Sequence, residues 1–326
     1  MRLAIIGFSQ YLQTRYLPYL KKRKDISLCA VCDVASLQID TIVGHDIPTY
    51  TNVDNMLACE RPDAVIISSP HSYHAHQAAQ CLNSGIPTFV DKPLACTLGE
   101  ARRLVELAEQ KQVLLGVGNQ RRYEPPYRQL YDTVKEGRLG DIRLINFLVA
   151  NSPWHDHTRS WRGDPSISGG GALIDIGYLA LDIIIWLVGA PLNWVHAASP
   201  KNETHKVEQT LVLTAEFSSG TIVNLVVTYE TAPGSVQEEL SVYGNRGSIF
   251  TRRFQTERCG QPPIVIEHIH GKKSHSFQFD AFADNSRPLA DFLDHLPHRK
   301  GMLADGESNL AILEIIERAY KSLTAK

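Results

Sequence analysis

Short apolar runs recur along the first third of the chain: Leu3 to Gly7, Ile26 to Asp33, Ala64 to Ser68, Thr88 to Asp91 and Val113 to Val117. Helical patterns fall between them, at 11–22 (interrupted by Pro18), 72–84 and 97–110. Near-continuous apolar strands alternating with helices predict a parallel sheet covered on both faces, and right-handed crossovers make it doubly wound. The pattern then changes. A helix is expected over 127–136, ended by Gly137 and Gly140, then a strand over 142–149. From Trp194 to Ile269 apolar and polar residues alternate, and Ser218-Ser-Gly220 marks a hairpin. Leu211, Leu213, Ala215 and Phe217, with Val223, Leu225, Val227 and Tyr229, form one apolar face. The opposite face is half polar. Residues 271–280 read as loop, and 288–296 and 305–323 as terminal helices. The fold class is α/β, with a doubly wound parallel sheet over 1–123 and an α+β domain with a large, mostly antiparallel sheet over 124–326.

One stretch departs from both patterns. Ser168-Gly-Gly-Gly leads into a helix that is apolar nearly all round and stops at Gly189 before Pro191. It carries Asp175 and Asp182, seven residues apart and expected on one face, with Tyr178 on the same stripe as Asp175. A buried carboxylate is costly unless paired, hydrogen-bonded or in use. For Asp182 an ion pair with Arg121, Arg122 or Arg162 is the structural alternative. The run approaches bilayer-spanning length, but its two acids and capped ends argue for a protein core.

Composition narrows the picture a little. A net charge of −2 gives no pull toward nucleic acid or an anionic membrane. The N-terminus runs directly into a strand, without a leader pattern. Of six cysteines, Cys29 and Cys32 form a CxxC inside a strand, where residues three apart point to opposite faces. Reduced thiols and a cytoplasmic protein are expected, with no metal site.

The candidate chemistry sits at strand ends, where open parallel sheets bind ligands. Gly7 follows the first strand, at the start of a dinucleotide fingerprint whose later glycine positions are Ser9 and Leu12 here. Phe8 lies in the same turn. Asp33 ends the second strand, suited to a ribose 2′-hydroxyl, and no nearby cation offers itself to a 2′-phosphate. NAD is therefore favoured over NADP. Ser69, Pro70 and His74 follow the third of these strands, and Asp91-Lys92-Pro93 follows the fourth. A lysine there can hydrogen-bond a hydroxyl and relay its proton; a solvated loop lysine is the alternative. The loop 151–167, with Trp154, His155, His157, Arg159, Trp161, Arg162 and Asp164, offers rings and charges suited to a carbohydrate.

In order, Ser69-Pro-His-Ser-Tyr-His74, Asp91-Lys-Pro93, Gly118-Asn-Gln-Arg-Arg-Tyr123, Gly169-Gly-Gly-Ala-Leu-Ile-Asp175 through Asp182, and Asp305 to Glu314 resemble the motifs of the glucose–fructose oxidoreductase, inositol dehydrogenase and MocA (Gfo/Idh/MocA) family. The likeness runs along essentially the whole chain. It implies a Rossmann domain holding a nicotinamide dinucleotide, with Gly7, Phe8, Ser9, Asp33, Ser69, Pro70, His74, Asp91, Lys92 and Arg122 at the cofactor. It implies hydride transfer at a hydroxyl or carbonyl carbon of a sugar or polyol, with Lys92 and Asp175 at the reacting carbon. Lys92, His155, His157, Trp161, Arg162, Asp175 and Tyr178 are the substrate candidates. It also implies a homodimer or homotetramer formed through the second sheet.

The sequence departs from the family at one telling place: the His expected four residues after the first Asp is Leu179. Three routes stay open. Lys92 is the sole acid/base, Tyr178 or a loop histidine substitutes, or hydride transfer is lost. Besides an NAD-dependent dehydrogenase, the alternatives are a glycoside-cleaving enzyme that oxidises its sugar transiently and a non-catalytic nucleotide-binding sensor.

Overall fold

The computed structural model describes residues 1–34, 46–152, 160–201, 204–255, 260–272, 274–279, 286–298 and 301–324. The chain divides into two compact units, Met1–Gln120 with Asn285–Leu310, and Arg121–Asp284 with Ala311–Lys326. The linear division at 123 is thus corrected: a late segment returns to the first unit.

In the first unit β1 (Arg2–Ile6), β2 (Ser27–Cys32), β3 (Thr49–Tyr50), β4 (Ala64–Ile67), β5 (Thr88–Val90) and β6 (Leu115–Val117) pair in parallel, in the order β3-β2-β1-β4-β5-β6. The order reverses between β1 and β4, the switch point at which such sheets open a ligand crevice beyond their carboxyl ends. Pro18 does not interrupt the first helix. A π turn at Leu12–Tyr16 runs into α1 (Leu17–Leu20), and Leu17 N–H donates to the Leu12 carbonyl. A wider turn is one way a helix absorbs a local break in its hydrogen-bond ladder. The helix α2 (Val53–Glu60), capped by the Asn52 side chain, has no counterpart in the expected pattern. By contrast α3 (His71–Asn83) and α4 (Leu98–Lys111) match it, and Thr97 and Glu100 form a capping box at the start of α4.

The returning segment attaches by backbone. Val117 N–H donates to the Ala304 carbonyl at 3.0 Å and Gly306 N–H to that of Leu115 at 2.9 Å, so residues 304–306 extend the free edge of β6. Phe292, on α8 (Arg287–His295), packs 5.6 Å from the Phe89 ring, and Asn119 donates to Asn309 inside the core.

The second unit opens with α5 (Pro125–Lys135). Its sheet comprises β7 (Ile142–Asn151), β8 (Leu192–Ala198), β9 (Thr210–Phe217), β10 (Ile222–Thr228), β11 (Val236–Gly244), β12 (Gly247–Gln255), β13 (Gly260–Ile269) and β14 (His275–Gln278), ordered β14-β13-β12-β11-β7-β10-β9-β8. Only β7 and β10 pair in parallel. The apolar face is as expected: Leu211, Leu213, Ala215, Phe217, Val223, Leu225, Val227 and Tyr229 are all buried. β14 replaces the expected loop over 271–280, because β13 offers an edge that residues 275–278 can pair with.

The apolar stretch is broken into parts. α6 (Pro165–Ser168) ends on Gly169, a π turn spans Leu173–Gly177, and α7 (Tyr178–Val188) follows. Residues 165–188 are long and apolar enough to cross a bilayer by length and composition alone, yet most of their side chains are buried within the protein. The π turn packs on β7 and β10. The last helix, α9 (Leu310–Thr324), turns Ile312, Leu313, Ile315, Ile316 and Ala319 inward.

Candidate active site

In the first unit the turn after β1 is held shut. Gly7 has φ +81°, and a Cβ there would collide with the backbone of Ser69, at the turn after β4. Only glycine combines that conformation with that approach. The neighbouring Phe8 N–H donates to Asp33 Oδ2 at 2.6 Å, which brings the carboxylate at the end of β2 onto the same turn. Ser9 stands where the fingerprint has its second glycine. Its hydroxyl lies 2.6 Å from that of Ser68 and accepts from Leu12 N–H at 3.1 Å, tying the turn both to β4 and to the start of the helix. Leu12, in the third glycine's place, is fully buried where the π turn begins.

The tie continues to β5. Ser68 Oγ donates to Asp91 Oδ2 at 3.5 Å and the Tyr16 hydroxyl to Oδ1 at 3.3 Å. Burial, then the Asp91 charge, push the Tyr16 phenol well above its ordinary value, so it stays protonated and serves as a donor. Asp91 Oδ1 also accepts from Lys92 N–H at 2.9 Å. The aspartate thereby fixes the backbone that carries Lys92, whose bond to Pro93 is cis. Ser69 donates to Gln77 within α3. His74 is 1% exposed, with Nδ1 2.7 Å from the Pro93 carbonyl and Nε2 2.7 Å from that of Ser69. Its ring stands between two backbone oxygens.

This donor set fits a dinucleotide. The tight turn at Gly7, the carboxylate of Asp33 beside it and the turns at Ser69 and Lys92 all stand at the carboxyl ends of β1, β2, β4 and β5 around the switch point.

In the second unit Gly169 ends α6 in the left-handed conformation, and the two glycines after it serve packing. A Cβ at Gly170 would strike the Tyr320 hydroxyl, and one at Gly171 the Glu208 carbonyl. The Glu208 carboxylate accepts from Gly171 N–H at 2.9 Å, Leu173 N–H at 3.0 Å and the Tyr320 hydroxyl at 2.8 Å, and its carbonyl accepts from Ala172 N–H. An acid is thus built against the first turn of the central helix, where the helix dipole favours one. Burial still raises its carboxyl above the ordinary range, against those hydrogen bonds.

Asp175 lies in the π turn and is 8% exposed. The Tyr229 hydroxyl, just beyond β10, donates to its Oδ2 at 2.9 Å, and Arg162 Nε stands 3.6 Å from the same oxygen. Burial and then the Asp175 charge push the Tyr229 phenol well above its ordinary value, so it keeps the proton it donates. The Arg162 guanidinium stacks 4.3 Å from the Trp161 ring centre, and Asp164 caps α6 next to it. Tyr229 and Arg162 thus meet at Asp175, with Trp161 against the guanidinium. Trp154, His155, His157 and Arg159 lie outside the described residues.

Asp175 and Asp182 have separate partners. Asp182 is fully buried and accepts from Arg122 Nε at 2.9 and 3.0 Å and from Nη2 at 2.6 Å. Arg122, a candidate both for the cofactor and for an ion pair with Asp182, forms that ion pair and lies 5.8 Å from the Trp186 ring centre. Tyr178, expected to share the stripe of Asp175, is sealed in the core with no exposed surface, and Leu179 beside it is 5% exposed. The next arginine, Arg121, pairs with Glu238, which also accepts from the Tyr127 hydroxyl at 2.9 Å. Burial alone would raise Glu238, but Arg121 and Arg253 hold it below the ordinary range.

Tyr229, Glu208 and Glu238 were missed as polar partners. Tyr229 carried a signal, being the one residue with a hydroxyl at the end of an otherwise apolar face.

Fold and site together define an oxidoreductase built on an NAD(P)-binding Rossmann domain. Residues 1–119 match the family described as "Oxidoreductase family, NAD-binding Rossmann fold", and residues 127–250 match the "GFO/IDH/MocA C-terminal domain". The chain belongs to the Gfo/Idh/MocA family. The D-glucoside 3-dehydrogenase of Escherichia coli (strain K12) is 25% identical to it over 99% of this chain and 95% of its own. The inositol 2-dehydrogenase of Corynebacterium glutamicum (strain R) is 27% identical over 68% of this chain and 71% of its own. Among solved structures, the aldose–aldose oxidoreductase of Caulobacter crescentus, complexed with glycerol, has the same fold, with a TM-score of 0.84 at 19% identity over 99% of this chain and 97% of that one.

Proposed function

We propose that the chain is an NAD-dependent dehydrogenase or reductase acting at a CH–OH carbon of a sugar, polyol or intact glycoside. The observation that carries this reading is Lys92, at the carboxyl end of β5 beside the turn at the switch point, its backbone fixed by Asp91. The nicotinamide, when bound, gives or takes the hydride. Lys92 takes the hydroxyl proton as the alcohol becomes a carbonyl, and returns it in the reverse direction. Asp175 accepts a hydrogen bond from a substrate hydroxyl, with Tyr229 and Arg162 holding its carboxylate in place. Tyr178 is sealed and Leu179 carries no proton, and this reading takes Lys92, rather than a histidine of the 151–167 loop, as the acid/base.

Asp33 supports NAD over NADP: its carboxylate suits a ribose hydroxyl and repels a 2′-phosphate. Five thiols, Cys29, Cys32, Cys59, Cys81 and Cys96, are free, and burial pushes Cys32 up to about 11 and Cys81 and Cys96 up to about 12; a cytoplasmic location is proposed alongside this reading. On the outer face of the second sheet Val212, Tyr243 and Phe250 are exposed, which supports a homodimer or homotetramer formed through that face; light scattering that finds a monomer overturns it.

The test of function is a screen of sugars, polyols and methyl glycosides with NAD and with NADP, following absorbance of the reduced nicotinamide. Turnover of one compound class with NAD is expected. Leu179 keeps a second reading in view, and the same screen separates it. Glycoside cleavage without net reduced nicotinamide marks transient oxidation, and tight cofactor binding with no turnover marks a sensor.

A further inference from the structure

We propose that His74 is the positioning residue for Lys92, not a cofactor contact; the inference rests on the role given to Lys92 above. The ring sits in α3, yet it reaches two turns at once: the Ser69 carbonyl after β4 and the Pro93 carbonyl after β5, each at 2.7 Å. Those strands are neighbours, paired Val65 with Thr88 through Ile67 with Val90. One rigid side chain therefore spans the gap between adjacent turns, and with 1% exposure it offers no polar atom or face to a ligand. Lys92 is held from both sides. Its own N–H donates to Asp91, and the carbonyl of the following residue meets His74.

Electrostatics shape how the ring does this. Burial holds the imidazole below its ordinary value, the two carbonyls pull it up, and the Lys92 ammonium pushes it down again. A neutral ring has one N–H, so it donates to one carbonyl. The contact that acts on Lys92 is the one from Nδ1 to Pro93.

Two substitutions separate the contacts. An Asn amide mimics Nδ1 and keeps a donor for Pro93; a Gln amide mimics Nε2 and keeps one for Ser69. Thermal melting first confirms that His74→Asn and His74→Gln are folded. Lys92 is then read by competitive labelling with acetic anhydride and mass spectrometry, against the other lysines of the same chain. Labelling reports how exposed the amine is and how readily it loses its proton, and it needs no substrate. The expected result is that His74→Gln changes Lys92 labelling by about threefold or more while His74→Asn stays within about twofold of the wild type, and that both bind NAD within about twofold of it. Equal behaviour of the two variants, a change confined to His74→Asn, or no change in either overturns the proposal. So does loss of NAD binding in both, which returns the ring to the cofactor. Because no turnover is measured, these outcomes are independent of whether the chain oxidises a sugar.

Discussion

A tyrosine that ends an apolar face must find a partner for its hydroxyl, and Tyr229 finds Asp175. The bond does two things: it satisfies a buried phenol, and it fixes one oxygen of a carboxylate in the π turn. Tyr229→Phe removes the donor and leaves the ring. Leaving a buried acceptor short of a partner costs about 1–3 kcal/mol. If Asp175 serves the substrate, the loss appears in kcat/KM, about tenfold, with the protein still folded; steady-state kinetics and a melting curve check it. Asp33→Ala should narrow the preference for NAD over NADP by about tenfold or more, measured as the ratio of the two dissociation constants. An unchanged ratio removes Asp33 from the cofactor. Gly7, Asp33, Lys92 and Asp175 were legible in the sequence because a glycine or a charge stands out against an apolar strand or helix. Their partners were not. Tyr229 meets Asp175, Tyr16 and Ser68 meet Asp91 beside Lys92, and Glu208 meets the start of the central helix, all through tertiary pairing that no local pattern records; for Asp182 the sequence offered three arginines, and tertiary pairing selects Arg122.

At the scale of elements, the central helix is shaped by what it must approach. Its glycines let the segment before β9 and α9 close in, through Glu208 and Tyr320, while Asp175 in the π turn and Asp182 in α7 take separate partners. The sequence shows a helix, its apolarity and its stop at Gly189. It does not show the π turn, because one extra residue in a turn leaves an all-apolar pattern unchanged. The Arg122–Asp182 pair is fully buried, so breaking it from one side strands a charge. Asp182→Leu should cost about 3–5 kcal/mol, whereas the double change Arg122→Met with Asp182→Leu should recover most of that loss. Melting temperatures of the two variants against the wild type decide; a double variant no better than the single one would show that the charge was not the source of the cost.

At the scale of the whole molecule, the chain is interleaved: residues 285–310 return to the unit formed by 1–120. Strand–helix alternation revealed both fold classes, yet the return was hidden, since it depends on backbone pairing of 304–306 with the edge of β6 rather than on any periodicity. Family membership and the parallel sheet agree on an oxidoreductase, and within it the proposed reading, given Leu179, takes Lys92 as the group that moves the proton. The most direct measurement is therefore steady-state kinetics of Lys92→Ala on the compound that the screen shows to be turned over, with NAD affinity measured alongside. The account expects kcat to fall by about a hundredfold or more while NAD affinity stays within about twofold. An unchanged kcat would contradict it.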